Sequence, residues 1–264
     1  MFKNIFRFLT HLLYPPKCAF CRSLLEPHDS ESVCRSCRLS LHYCAGSLCC
    51  KKCGKPFPSL GGDGLCLDCL SGRNTGYQRI VSVFEYDSLV RRSISAYKGT
   101  RPQRRLAGIY AYYMVKTVDL EYADIAFDCI VGVPPSRARM RTKNFDHIAY
   151  LCRRIAKETG MPYLRHCLRQ KGTLKKQSSL SYQERMQNII GSIQVRRGKR
   201  KALNGAVCLL VDDICTTGST LDECARMLKK AGAAEVYAVT LATVTKGKKK
   251  MQKQEEKTSY NSEF

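Results

Sequence analysis

At 264 residues the chain has room for one medium domain and a small one, and it holds no run of about 18 apolar residues, which excludes a bilayer-spanning helix. Lys plus Arg number 45 against 22 Asp plus Glu, a formal charge of +23, and a field of that sign suits phosphate-rich ligands, whether a pyrophosphate ester or a nucleic acid. Sixteen cysteines, ten of them before residue 70 and with no secretory signal ahead of them, favour metal binding in a reducing, cytoplasmic setting over a disulfide scaffold.

Residues 2–13 place Phe2, Ile5, Phe6, Leu9, Leu12 and Leu13 on one face of a short amphipathic helix, so 1–14 reads as a helical N-terminal element. A signal peptide is the competing reading, but Arg7 and His11 break the apolar run and no small-residue cleavage site follows. Residues 15–75 carry four Cys-x-x-Cys pairs: Cys18/Cys21, Cys34/Cys37, Cys50/Cys53 and Cys66/Cys69. Twelve residues separate the first two pairs and twelve the last two, so the module repeats with an offset of 32. Two residues between thiolates let both sulfurs of a knuckle reach one ion, and two knuckles close a four-thiolate tetrahedron. Two structural zinc ions are expected, assigned sequentially, although spacing alone also permits an interleaved cross-brace, and iron–sulfur ligation is a competing use. Large apolar residues are scarce here, so metal would supply folding energy that a core cannot. Cys44 and Cys49 are left over, with no assigned role. A zinc ribbon of this kind is also a common nucleic-acid or protein contact surface.

Residues 70–77, with Ser71, Gly72, Asn74 and Gly76, read as a linker. The second domain is expected over 76–245. Residues 80–84 are apolar except for Ser82 and predict a strand; Ser88 is placed to cap a helix through Tyr97, and 106–118 predicts a second helix. An apolar strand over 127–133 runs into Pro134, Pro135, Ser136 and Arg137, beside further cations at Arg139, Arg141 and Lys143, which makes this turn a candidate anion site. Residues 144–160 predict a helix stopped by Gly160 and Pro162, with His147 on it as a surface hydrogen bonder in preference to a base. Between Arg137 and Lys201 there are 18 Lys or Arg against only Asp146, Glu158 and Glu184.

Residues 169–182 are polar and basic and read as a loop; Ser181 with Glu184 has capping-box spacing for the helix after it. A strand over 189–195 and a basic hairpin-like excursion over 196–201 follow. Then comes the stretch around which the domain is organised. Residues 207–211 are wholly apolar, as a buried parallel strand requires, and lead to Asp212 and Asp213. Cys215, Thr216, Thr217, Gly218, Ser219 and Thr220 form a small hydroxylated loop, and Leu221, Ala225 and Leu228 begin helical spacing that ends at Gly232. Bare amides at a helix start bind phosphate, while paired carboxylates suit a sugar diol or a cation. The segment asks for a phosphate with a ribose-like diol beside it. A last strand covers 236–244, and 246–264 is polar and reads as a disordered tail.

The run Asp212-Asp213-Ile214-Cys215-Thr216-Thr217-Gly218-Ser219-Thr220 resembles the phosphoribosyl pyrophosphate signature of type I phosphoribosyltransferases. Together with Tyr97-Lys98-Gly99, the Val133-Pro134 turn, Phe145-Asp146-His147 and the cysteine repeats, it makes the chain resemble the ComF family from about Leu12 to Val244. The family segment Arg-Gly-Phe-Asp-His is here Lys143-Asn144-Phe145-Asp146-His147, so the two-pronged Arg fork becomes a single ammonium. The resemblance implies an α/β type I phosphoribosyltransferase fold, an open, mostly parallel sheet flanked by helices, behind an N-terminal double zinc ribbon. It implies a transferase of the glycosyltransferase class, displacing pyrophosphate from a ribose with magnesium bound to the substrate. Asp212 and Asp213 would hold the ribose hydroxyls and help fix that substrate. Cys215–Thr220 would take the 5′-phosphate, the turn of Pro135, Ser136 and Arg137 with Lys143 would take pyrophosphate, and the loop after Arg169 would fold over the site. Family members are linked to DNA uptake in natural competence, which implies single-stranded DNA and uptake proteins as partners. A non-catalytic nucleic-acid-binding factor with a retained pocket is the alternative.

Overall fold

The computed structural model describes residues 15–26, 32–45, 48–56, 64–71, 75–99, 103, 105–136, 140, 145–171 and 189–245. The amphipathic stretch 2–13, the expected closing loop with Ser181 and Glu184, the tail 246–264, Arg137 and Lys143 lie outside the described residues.

The cysteine repeat appears as a structural repeat. Helix α1 (Arg35–Ser40) starts directly after Cys34, and α2 (Leu67–Leu70) directly after Cys66, the position 32 residues on. Then follow β1 (Ile80–Glu85), α3 (Ser88–Lys98), α4 (Leu106–Glu121), β2 (Cys129–Gly132), α5 (His147–Thr159), β3 (Leu168–Gln170), β4 (Ile193–Val195), two 3-10 turns (Arg197–Lys199 and Lys201–Leu203), β5 (Val207–Cys215), α6 (Ser219–Lys230) and β6 (Glu235–Thr243). Most expected elements are present with shifted ends. The cap of α3 is Asp87, whose carboxylate accepts from the Val90 amide at 2.8 Å, and not Ser88, which is already helical. Only the end of the expected 189–195 strand is extended, because Ile193–Val195 alone finds a partner, antiparallel β3. That pairing also draws Arg169 and Gln170 out of the expected loop and into β3. The basic excursion after β4 is a pair of 3-10 turns, not a hairpin.

Four strands form a parallel sheet in the order β1-β6-β5-β2. A parallel sheet must be covered on both faces, and the apolar runs show it: Cys208, Leu209, Leu210 and Val211 of β5 are all fully buried. On one side α3, α4 and α5 supply Ile94, Tyr97, Tyr110, Met114 and Leu151 against Leu209 and Val211. On the other, α6 supplies Leu221, Ala225 and Leu228 against Leu210 and Ala238, extended by Leu168 and Ile193 of the small β3–β4 sheet.

The cysteine-rich head closes the open edge of this sheet. The Glu85 amide donates to the His42 carbonyl and the Cys44 amide to the Val83 carbonyl, both at 2.9 Å, so residues 42–44 run antiparallel beside β1. The Ile80 amide donates to the Lys52 carbonyl at 2.9 Å. Gly54 allows that approach: a Cβ there would sit 2.5 Å from the Ile80 carbonyl oxygen, and its φ of +65° suits glycine. An edge strand sealed this way cannot recruit a foreign strand. Phe20 stacks edge-on to Phe84 at 5.5 Å, and Tyr43 and Tyr113 approach the same ring at 5.2 and 5.3 Å. Phe20, Val33 and Leu41 thus share the core of the larger domain, so the head does not rest on metal alone.

Candidate metal centres and candidate ligand site

Both cysteine tetrads assemble in sequential pairing. The sulfurs of Cys18, Cys21, Cys34 and Cys37, and separately those of Cys50, Cys53, Cys66 and Cys69, all lie within 4.8 Å of one another. The cross-brace left open by spacing is not adopted. Cys21 and Cys34 sulfurs are 3.6 Å apart and those of Cys53 and Cys66 3.7 Å. A tetrahedron with zinc–sulfur bonds of about 2.3 Å has an edge of about 3.8 Å, so the donor set fits the ion. The main chain fits it too. The Cys34 amide points at the Cys18 sulfur at 3.5 Å, and the Cys66 amide repeats this toward Cys50 at 3.4 Å, stabilising thiolates. Four sulfurs leave no open coordination position, which assigns both centres to structure. Cys44 and Cys49 stay outside the tetrads, the Cys49 thiol donating to the Cys44 carbonyl at 3.4 Å.

The candidate ligand site begins where β2 leaves the sheet. Pairing of β2 with β5 ends at Gly132↔Val211, and the Val133 amide makes a last bond to the Val211 carbonyl at 3.0 Å before Pro134 turns away. The sequence placed the two carboxylates at the carboxyl end of the strand. The strand runs two residues further, because β5 keeps pairing with β6 as far as Cys215↔Thr243. Asp212 and Asp213 therefore sit on ordered backbone beyond the end of the neighbouring strand, the edge at which open α/β sheets bind ligands.

Adjacent strand residues face opposite sides, and Asp213 turns toward α3 and α5. Its Oδ2 is 2.5 Å from the Lys98 ammonium and is also bonded by His147 Nε2. Burial alone would push the Asp213 carboxyl up. The Lys98 charge and the His147 bond outweigh it and hold the group well below the usual carboxylate range. His147 is the first residue of α5 and is buried, not the surface hydrogen bonder that its helical position suggested. Asp146 caps that helix through the Ala149 amide at 2.9 Å, and Tyr97 donates to the His147 carbonyl at 2.6 Å. Asp212, half-buried, accepts from the Asp213 amide at 2.8 Å and lies in register with Thr240, whose hydroxyl is 2.7 Å from that of Ser82.

The loop is shorter than the sequence suggested, because α6 already starts at Ser219. Thr216 and Thr217 link β5 to Gly218, whose φ of +77° is a left-handed conformation that glycine adopts without strain. The Thr217 hydroxyl is 2.7 Å from the Ser219 hydroxyl and accepts from the Ser219 amide at 3.3 Å. Among the described residues, none accepts a hydrogen bond from the amides of Thr216, Thr217, Thr220 or Leu221. The Asp222 amide closes onto the Gly218 carbonyl at 2.8 Å. Cys215 lies beneath the loop with its carbonyl taken by the Val244 amide at 3.0 Å. Burial pushes its thiol up to about 11, so it stays neutral there. The arrangement offers a row of unused donors at a helix N-terminus, the form of an anion cradle. Pro135 is half-buried and Ser136 exposed at the turn after β2. Lys98 is a site group that the sequence left without a role, and His147 one that it placed on the surface. They lie within Tyr97-Lys98-Gly99 and Phe145-Asp146-His147, but nothing in their spacing says that both converge on Asp213.

Comparisons with known proteins agree with this geometry. Residues 146–263 match the phosphoribosyl transferase domain, and residues 9–70 match the double zinc ribbon domain. Competence protein ComFC of Bacillus subtilis (strain 168) is 28% identical over 83% of this chain and 86% of its own length. Competence protein F of Haemophilus influenzae is 26% identical over 79% of this chain and 96% of its own. Among solved structures, the allosteric regulatory enzyme of purine biosynthesis aligns at 22% identity over 52% of this chain and 25% of that one, with a TM-score of 0.33, too low to carry an argument. No helix among the described residues is long and apolar enough to cross a membrane.

The purified protein is expected to release two zinc ions per chain to a chromogenic chelator on thiol modification. Cys37→Ser should lower that figure to about one, because the closed four-sulfur set of one site is broken while the other is untouched. Loss of both ions from this variant would contradict two independent sequential sites.

Proposed function

We propose that this chain, a member of the ComFC-like family with a double zinc ribbon ahead of a phosphoribosyltransferase-type domain, binds phosphoribosyl pyrophosphate. The observation that carries this is the row of unpartnered amides opening α6 directly beside the acid pair of β5. In this reading the loop from Cys215 through Thr216, Thr217, Gly218 and Ser219 to Thr220 takes the 5′-phosphate, with the amides of Thr216, Thr217 and Thr220 as donors. Asp212 and Asp213 accept from the ribose hydroxyls. Pyrophosphate, with its magnesium, lies toward the turn of Pro135, Ser136 and Arg137, with Lys143 adding charge. Transfer of the pentosyl group would develop positive charge on the sugar and negative charge on the leaving group. Fixed carboxylates on one side and fixed donors on the other are what stabilises that separation.

The relatives named for competence support a role for this chain in DNA uptake, in the cytoplasm, where thiolates stay reduced. One surface favours a second, compatible reading, single-stranded nucleic-acid binding. The β3–β4 pair brings Arg165 and Arg169 beside Arg196, Arg197, Arg200 and Lys201, all exposed, and neither segment 161–171 nor segment 191–206 contains an acid. The Arg196 amide is tied to the Cys167 carbonyl at 2.9 Å, which fixes the two segments together.

Asp213→Asn should weaken binding of phosphoribosyl pyrophosphate with magnesium by at least about tenfold, since a hydrogen bond to a charged group is lost. Calorimetry on protein that retains its zinc checks this, and unchanged affinity counts against the ligand. For single-stranded DNA, filter binding should fall with salt at a log–log slope near about −4 if all six cations engage phosphates. A flat response removes the second reading.

A further inference from the structure

Two charged or polar side chains in the ligand site go unused in the reading above, and both meet one atom. Lys98 ends α3 and His147 begins α5, and each contacts Oδ2 of Asp213. Among the described residues, none bonds Oδ1. The side chain of Asp213 is 10% exposed and that of His147 4%. A histidine so enclosed cannot reach a substrate proton, which removes it as a general base and leaves it an orienting role.

The geometry points to Lys98 and His147 as positioning residues: they clamp Oδ2 of Asp213 so that Oδ1 is presented in one fixed direction to a ligand hydroxyl. This rests on the ligand reading above and deepens it. The clamp is itself held on every side. Tyr97, next to Lys98, donates to the His147 carbonyl at 2.6 Å, and its ring meets the His147 ring edge-on at 6.0 Å. Asp146 fixes the start of α5 through the Ala149 amide. The N-terminus of α5 brings its positive end to the carboxylate as well. Besides Lys98 and His147, the titratable groups around the acid are Tyr86, Tyr97, Tyr110, Asp146 and its neighbour Asp212. The three tyrosines are held protonated by burial, so the positive charge facing the acid comes from Lys98 first and His147 second. An acid in such a clamp accepts a diol hydroxyl without first reorganising, which is the physical gain of a preorganised site.

The sign of the pH effect follows. A carboxyl depressed in the folded state stays ionised to well below its ordinary value near about 4. With Lys98 removed, the largest influence opposing burial is gone, and the group takes up a proton at higher pH than in the wild type. The test compares zinc-loaded wild type, Lys98→Met, Lys98→Arg, His147→Gln and Lys98→Met in an Asp213→Asn background. Each is titrated with phosphoribosyl pyrophosphate and magnesium between pH 5 and 8, and thermal unfolding is followed in parallel. Orienting partners of this kind are worth about 10–100-fold when removed. Lys98→Met should bind at least tenfold more weakly and lose affinity further as pH falls, while wild type stays flat. Lys98→Arg should restore most of the affinity, and Lys98→Met should add nothing once Asp213 is Asn. Wild-type-like, pH-independent binding by Lys98→Met and by His147→Gln would overturn the clamp and leave the ligand reading standing. If wild type does not bind, the ligand reading fails, and the clamp is judged alone by the Asp213 carboxyl carbon resonance. A wild-type resonance that titrates near 4 overturns it; one that stays ionised in wild type and titrates in Lys98→Met supports it. Should Lys98→Met fail to fold, the same outcomes are read from His147→Gln and Lys98→Arg.

Discussion

The site depends on β5 keeping its hydrogen bonds to β6 after β2 has left the sheet. While β2 is alongside, every β5 residue is walled in and apolar. Past Gly132 the same strand still has one neighbour to hold it straight, but its other flank opens. Two carboxylates can exist there only because each has partners: Oδ2 of Asp213 meets Lys98 and His147, and Oδ1 of Asp212 takes the next amide. A buried acid without them would lose its charge. The strand then ends in a glycine turn, and the first amides of α6 follow it.

The head serves the same sheet from its far edge. Two closed thiolate sites order a segment too poor in apolar residues to fold alone, and that segment pairs with β1 and buries Phe20 on Phe84. The thiolate sites and the sheet edge are therefore linked: the edge opposite the candidate site is finished by residues held between the two cysteine tetrads and the shared core. The exposed cations gather around the β3–β4 pair, on segments other than the loop that opens α6.

Much of this was legible in the sequence, for local reasons. Cysteine spacing marks eight sulfurs as two four-thiolate sets and leaves their pairing to the fold, and an apolar run ending in Asp212-Asp213 before Thr217-Gly218 predicts a strand, a turn and a helix start. The boundaries were less legible, because pairing with a partner strand decides them: β6 carries β5 through to Cys215, and β3 selects only Ile193–Val195 from a longer apolar stretch. The clamp on Asp213 was not legible at all. Lys98 and His147 come from two helices, 115 and 66 positions before the acid, and no period or spacing in one chain encodes that meeting.

The most direct measurement is the amide spectrum of the zinc-loaded protein, taken before and after addition of phosphoribosyl pyrophosphate with magnesium. An anion seated on bare donors at the start of α6 should move the amide resonances of Thr216, Thr217, Thr220 and Leu221 more than any others in the domain. Shifts confined to the β3–β4 surface or to the cysteine-rich head, with those four amides unmoved, would contradict it.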